Sequence, residues 1–352
     1  MTNVDYTALR PTLDPEGAYE RNLGLPQQCR EAWEDVRGFT LPESYRYIDN
    51  VIVAGMGGSA IAGDFLQALC YTESDKAVTV VRGYHLPRWA DERTLVIACS
   101  HSGNTEETLA IYEQARQRGC KLAASTTGGS IKALAGAAGV PLLAYDFYPE
   151  PRSAFGHSFV RLLAIARAAA VLDVTEARMQ AAIEEIESMQ PSLGEDVPDA
   201  SNPAKALATR LFDRLGLVIG AEFLAPVARR WKTQLNENSG CWAIWDELPE
   251  LHHNTVVGLT LPAQTAKSIH AVILEHPALT DRVRLRCQIT TELFDRSGIS
   301  YERLEAGGPE SLAAMLRSVY LGSMVSYYLA LLNNVHPSEI DNINYLKDRL
   351  AG

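Results

Sequence analysis

The stretch NVIVAGMGGSAIAGDFL, residues 50–66, decides how the chain folds. Its residues Val51, Ile52 and Val53 are apolar and β-branched, as suits a buried strand, and SAIAGDFLQALC behind them carries helical spacing. Between them lies the glycine-rich turn GMGGS, residues 55–59. Such a turn can be a tight strand-to-helix connection. It can also be an anion cradle, because small residues let backbone N–H groups at a helix start face a phosphate. The turn alone does not choose between the two, and the rest of the chain must.

Working outward, the alternation continues. AVTVVRG and TLVIACS read as strands, and NTEETLAIYEQARQRG reads as a helix with acidic residues in its first turn and Arg118–Gly119 at its end. KLAAST is a strand, SIKALAGAAG a helix and VPLLAYD a strand. Strands alternating with helices define a parallel sheet covered on both faces, that is, a doubly wound α/β domain. After the helix SAFGHSFVRLLAIARAAAVL and an acidic, proline-containing boundary, the pattern returns. RLGLVIGAE is strand and turn, FLAPVARRWKTQLNENS a helix, and NTVVGLTLP and HAVILEH are strand-like. LRCQITTELFDRSG and the nearly apolar GGPESLAAMLRSVYLGSMVSYYLALLNN are helices. GLVIGAEFLAPVARRW faintly echoes NVIVAGMGGSAIAGDFL, which suggests two related halves facing each other. The expected organisation is an N-terminal helical extension (1–40), a first α/β domain (41–160), a helical linker (161–197), a second α/β domain (198–330) and a tail helix (331–352).

Ligands of open parallel sheets sit beyond the carboxyl ends of the strands. Three turns there are rich in hydroxyls and glycines: GMGGS (55–59), SHSGNT (100–105) and STTGGS (125–130). Thr105 alone reads as an ordinary helix N-cap. There is no Walker lysine and no G-x-G-x-x-G with an acidic partner, so ATP and NAD fit poorly, whereas a single phosphate monoester fits well. In the second half, QLNENSG puts Glu237 at a helix C-terminus, where the dipole disfavours a carboxylate. ELPELHHN places adjacent His252 and His253 before an expected strand. No third ligand stands at a suitable spacing, so a metal site is not expected. A carboxylate base with a histidine proton shuttle suits proton transfer beside a carbonyl.

The composition narrows the partners. The 352 residues are 47% hydrophobic and 21% charged, with a net charge of −11. That charge argues against nucleic acid and anionic membranes. The six cysteines form no CxxC pair and read as reduced thiols of a cytoplasmic protein. No basic-then-apolar leader and no run of about 18 uninterrupted apolar residues is present, so a soluble chain is expected.

Taken together, GMGGSAIAGD, SHSGNTEETL, STTGG, NENSG, ELPELHHN and PSEIDNINYLKDRL resemble the bifunctional phosphoglucose/phosphomannose isomerases of the sugar isomerase (SIS) superfamily. The resemblance runs from about residue 45 to the C-terminus, with a weak stretch between 165 and 215. It implies two SIS-type, three-layer α/β/α domains and settles the opening turn in favour of the phosphate. By position it implies that Ser59, Ser100, Ser102 and Thr105, with Gly57 and Gly58, hold the sugar phosphate. Glu237 would be the base that moves a proton between C1 and C2. Arg152 would steady the enediolate oxygens. His253 and Lys347 would open the sugar ring, with His253 donated across a homodimer interface. No cofactor is implied. Ile340 stands where a family member has a threonine linked to use of mannose 6-phosphate. The expectation is therefore an aldose–ketose isomerase acting on glucose 6-phosphate and mannose 6-phosphate. The alternatives are a non-catalytic SIS sensor, which needs the serine turns but not Glu237, His253 and Lys347 together, and an isomerase of another phosphosugar.

Overall fold

The computed structural model describes residues 4–147 and 149–351. The chain opens with α1 (Tyr6–Leu13), α2 (Ala18–Leu23) and α3 (Leu25–Val36). An alternating run follows: β1 (Asn50–Ala54), α4 (Gly57–Glu73), β2 (Ala77–Val81), β3 (Thr94–Cys99), α5 (Glu106–Gln117), β4 (Lys121–Thr126), α6 (Gly129–Ala138) and β5 (Leu142–Ala144). Then come α7 (Phe155–Ala168), α8 (Glu176–Leu193) and α9 (Pro203–Leu211). The second run is β6 (Leu215–Ala221), α10 (Ala225–Glu237), β7 (Ala243–Leu248), α11 (Ala263–Ser268), β8 (Ile269–Glu275), α12 (Asp281–Ser297) and β9 (Ser300–Glu305). The chain closes with α13 (Ser311–Leu332) and α14 (Asp341–Ala351). Two compact units result. One is Leu25–Glu184, and the other joins the residues up to Gly24 with those from Glu185 onward.

In the unit Leu25–Glu184 the five strands are all parallel, in the order β2-β1-β3-β4-β5. The period of two along each strand sorts the side chains into two layers. Ile52, Val96, Leu122 and Ala124 face one way and pack with Ile111, Tyr112 and Ala115 of α5 and Ile131 and Ala135 of α6. Val53 faces the other way, against Gly63 of α4, where Phe65 meets Phe155 and Phe159 of α7 edge-on. Helices therefore cover both faces. The strand order reverses between β1 and β3, the point at which such sheets open a crevice at their carboxyl edge.

In the other unit four parallel strands run in the order β7-β6-β8-β9, reversing between β6 and β8. The segment NTVVGLTLP is not a strand. It forms a 3-10 turn, Thr255–Val257, followed by further turns. Asn254, Gly258 and Pro262 supply turn chemistry, and Val257 and Leu261 are 86% and 76% exposed, so no sheet takes up their apolar side chains. The strand of that region is instead β7, AIWDEL, so His252 and His253 follow a strand rather than precede one.

The helix α13 is long and apolar enough to cross a membrane by length and composition, yet 89% of its apolar window is buried in the protein. It packs on α9, α10 and α2 as a core helix. Its Gly322 admits the Trp231 indole, whose N–H donates to the Ser318 carbonyl at 2.8 Å. The six cysteines are unbridged, and burial pushes the Cys29, Cys70, Cys99 and Cys287 thiols up to about 12.

A Cβ at position 322 would lie 2.2 Å from the Trp231 Nε1. Gly322→Ala is therefore expected to destabilise the fold by about 1–3 kcal/mol through overpacking, read as a lower urea midpoint. A midpoint equal to that of the unmodified protein would contradict this account of the Trp231 seat.

Candidate functional site

The crevice at the β1/β3 reversal is built from turns packed backbone on backbone. β1 leads through Gly55 and Met56 into α4, and β3 leads through residues 100–105 into α5. Gly103 and Gly129 both hold positive φ, 70° and 63°. A Cβ on Gly103 would lie 1.9 Å from the Gly128 carbonyl oxygen, and one on Gly129 would lie 2.3 Å from that of Ser102. The turns after β3 and β4 thus interlock, and only glycine permits it. Asn104 adds a polar tie, its Oδ1 accepting from the Ser130 N–H at 2.9 Å and hydroxyl at 3.0 Å.

The hydroxyls converge within this frame. Ser100 Oγ and Thr105 Oγ1 form a hydrogen bond of 2.9 Å, and the Gly103 N–H donates to Ser100 Oγ at 3.0 Å. The Asn104 N–H donates to Ser102 Oγ at 3.2 Å. Thr105 occupies the N-cap position of α5 but makes no side-chain cap bond, so the ordinary capping reading of this residue fails. Ser100 and Ser59 are buried, while Ser102 is exposed at the mouth. Ser59 lies in the first turn of α4, beside Gly57 and Gly58, and its own N–H is spent on the Met56 carbonyl at 3.0 Å. Gly58 also touches the segment carrying Arg152, since its Cβ would lie 3.0 Å from the Pro151 carbonyl oxygen. Arg152 is itself buried, in the 3-10 turn Pro151–Ala154. One unit therefore assembles Gly57, Gly58, Ser59, Ser100, Ser102, Thr105 and the Arg152 turn at a single sheet edge. Hydroxyls, helix-start N–H groups and a guanidinium suit an anion with one phosphate.

Glu237 is the last residue of α10, half-buried. The residues around it are fastened to α13 by buried polar bonds. Gln234 Nε2 donates to Ser323 Oγ at 2.7 Å, Asn238 Nδ2 to Ser326 Oγ at 2.9 Å, and Ser239 Oγ to the Ser326 carbonyl at 2.7 Å. Asn333 Nδ2 reaches the Ser239 carbonyl at 2.8 Å, and Asn236 Nδ2 the Cys241 carbonyl at 2.9 Å. Burial lowers the pKa of Arg230 on the same helix to about 10, with the charge of Glu237 opposing the shift. Ser323 and Ser326 belong to no motif that points to a site. Their one signal in the sequence is a pair of hydroxyls three residues apart in a mostly apolar helix.

His252 is committed to the scaffold. Its Nε2 lies 2.9 Å from Thr290 Oγ1, and Arg286 Nη1 donates to its Nδ1 at 3.1 Å. Burial, then the charges of Arg286 and His253, push its pKa down. His253 is exposed at the end of a 3-10 turn, and Lys347 lies on the exposed α14. Among the described residues no group of three or more metal-ligating side chains gathers.

At the β6/β8 reversal of the second sheet the arrangement differs. Glu222, with φ 50°, follows β6, and its carboxylate accepts from the Thr280 hydroxyl at 2.8 Å and N–H at 3.3 Å. Thr280 is the N-cap of α12.

Comparison with known proteins places this architecture. The family model of the bacterial phospho-glucose isomerase C-terminal SIS domain matches residues 200–350. A solved structure of a hypothetical protein from Thermus thermophilus superposes with a TM-score of 0.73 at 18% identity, covering 98% of this chain and 94% of that one. Residues 200–350 thus match an SIS domain, and the whole chain shares the fold of that solved structure. A bifunctional phosphoglucose/phosphomannose isomerase of Caldicellulosiruptor bescii is 33% identical over 334 residues, 95% of this chain and 98% of that protein. Its counterpart in Thermoplasma acidophilum is 30% identical over 93% of this chain and 100% of its own length. The chain belongs to the bifunctional phosphoglucose/phosphomannose isomerase family.

Gly103→Ala cannot keep the interlocked turns. Binding of fructose 6-phosphate, followed by titration calorimetry, is expected to weaken at least tenfold while far-ultraviolet circular dichroism stays that of a folded α/β protein. Wild-type affinity in this variant would separate the cradle from ligand binding.

Proposed function

We propose that the protein interconverts glucose 6-phosphate, and mannose 6-phosphate as a second substrate, with fructose 6-phosphate. The observation that carries this reading is Glu237: a carboxylate at the end of α10, between two asparagines committed to the scaffold, in a chain of the isomerase family. In this reading Ser59, Ser100, Ser102 and Thr105 hold the phosphate with the N–H groups around Gly57 and Gly58. His253 and Lys347 open the sugar ring. Glu237 then takes the C2 proton, giving a cis-enediolate, and returns it at C1. Arg152 opposes the negative charge that develops on the oxygens. Hydrogen moves only as protons, so the scheme needs no cofactor.

We further propose a cytoplasmic homodimer in which His253 is donated to the partner's site. The exposure of His253 and of the apolar side chains Val257 and Leu261 that follow it in the chain supports such a surface.

Glu237→Gln keeps the shape and the asparagine ties but removes the base. It is expected to bind fructose 6-phosphate as before and to lose turnover by on the order of 10²–10⁴-fold or more, measured in a coupled assay. Near-normal isomerisation by this variant would end the mechanism.

Both epimers share one enediolate, so room near C2 and C3 sets the preference between them. Ile340 is half-buried at the start of α14. It is bulkier than threonine and lacks its hydroxyl, a difference worth roughly 1–3 kcal/mol in discrimination. Mannose 6-phosphate is expected to be the poorer substrate, and Ile340→Thr to narrow the gap in kcat/KM. Equal values for the two epimers in the unmodified protein would remove Ile340 from this role.

A further inference from the structure

The second residue of the turn after β3 is a histidine that the proposed mechanism does not use. The His101 ring stands between two other segments. Its Nδ1 lies 3.2 Å from the Tyr145 hydroxyl just beyond β5, and its Nε2 lies 3.1 Å from the Pro149 carbonyl oxygen. A carbonyl only accepts, so Nε2 carries the proton and donates. In the neutral ring Nδ1 is then the acceptor, and the Tyr145 O–H donates to it. Burial pushes the pKa of His101 down, against the Pro149 bond and the charge of Glu150, which favours this neutral form near pH 7.

The ring is held from behind as well. Tyr145 stacks on His157, Phe147 packs against both histidines, and the Arg161 guanidinium lies 4.7 Å from the Tyr145 ring centre. Arg161 pairs with Asp35 of α3 at 2.8 Å. On the backbone side the His101 carbonyl accepts from Thr127 Oγ1 at 2.7 Å and from the Thr127 N–H at 3.1 Å. His101 therefore belongs rigidly to the serine turn, and its one donated side-chain bond goes to the segment that leads into Arg152. That segment is met from the opposite quarter by Gly58 at Pro151.

We propose that His101 is a positioning residue: its Nε2–H bond to the Pro149 carbonyl holds the Pro149–Arg152 turn against the serine turn and so sets where the Arg152 guanidinium stands relative to Ser100 and Ser102. The catalytic part of this inference rests on the isomerase reading given above. The tether itself does not. A displacement of about 1 Å in a charge-stabilising group can cost on the order of 10²-fold in rate, so a single well-placed bond has leverage on turnover.

The test pairs a structural and a kinetic measurement on the full chain. Amide hydrogen exchange of peptides spanning 149–155 is expected to quicken in His101→Ala. It is expected to stay slow in His101→Gln, whose amide can still donate to Pro149. In the coupled assay with fructose 6-phosphate, His101→Ala is expected to lower kcat by at least tenfold with KM changed less than threefold, and His101→Gln to recover most of it. Combined with Arg152→Ala, His101→Ala should cost little more, whereas combined with Ser102→Ala it should cost its full amount. Unchanged exchange in His101→Ala, a glutamine variant as impaired as the alanine one, or a full additional loss on the Arg152→Ala background would each overturn the proposal. A wild-type protein without activity on fructose 6-phosphate would overturn the isomerase reading alone, because the exchange measurement still decides the tether.

Discussion

The close approach of backbone to backbone at the carboxyl edge of the five-stranded sheet is the constraint on which the rest of that unit depends. Four turns meet there, after β1, β3, β4 and β5, at separations that leave no room for a side chain at Gly55, Gly103 or Gly129 and little at Gly58. Because the turns touch directly, the hydroxyls they carry are aimed by main-chain geometry rather than by flexible side chains. The entropy of ordering a binding site is thereby spent during folding and not when a ligand arrives. The reversal of strand order between β1 and β3 supplies the opening, and the glycines supply the shape.

The end of α10 is held by a different device. There the ties are side-chain hydrogen bonds, from Gln234, Asn238 and Ser239 to the hydroxyls and carbonyl of Ser323 and Ser326 within the core helix α13. Such bonds are strong in a low-dielectric interior and costly to leave half-made, so they specify one register of α10 against α13. A purely apolar α13 would bury as well and would fix Glu237 less sharply. The apolar helix with isolated serines is thus a positional clamp as much as a core.

Much of this was legible from the residues. The parallel α/β runs followed from strand–helix alternation, and the serine turns from their place after strands. What escaped did so for physical reasons. The strands AIWDEL and SYERLE carry acidic side chains because β7 and β9 are the edges of their sheet, where one side faces solvent, so the apolar run that marks a buried strand is missing. NTVVGLTLP shows the reverse error: an apolar stretch whose Asn254, Gly258 and Pro262 win over its valines. For the candidate site, motif and position singled out Glu237 and the serines. They could not reveal His101 as a link, because its partners Tyr145 and Pro149 lie 44 and 48 residues away, joined to it only by the fold. Nor could they show that His252 is spent on Thr290 and Arg286.

The glutamate that follows β6 gives the two sheets different fates. At the reversal of the second sheet the start of α12 already has an anion, supplied by the chain itself: the Glu222 carboxylate sits on the Thr280 N–H and hydroxyl. A helix start that already faces a carboxylate of its own chain draws a phosphate from solution less strongly. A fold that repeats its architecture therefore need not repeat its valence. In the reading proposed above, only the first sheet's edge receives phosphate, and saturation by a monophosphate is then expected to follow one simple hyperbola per chain instead of the two-step curve that a symmetric duplication would give.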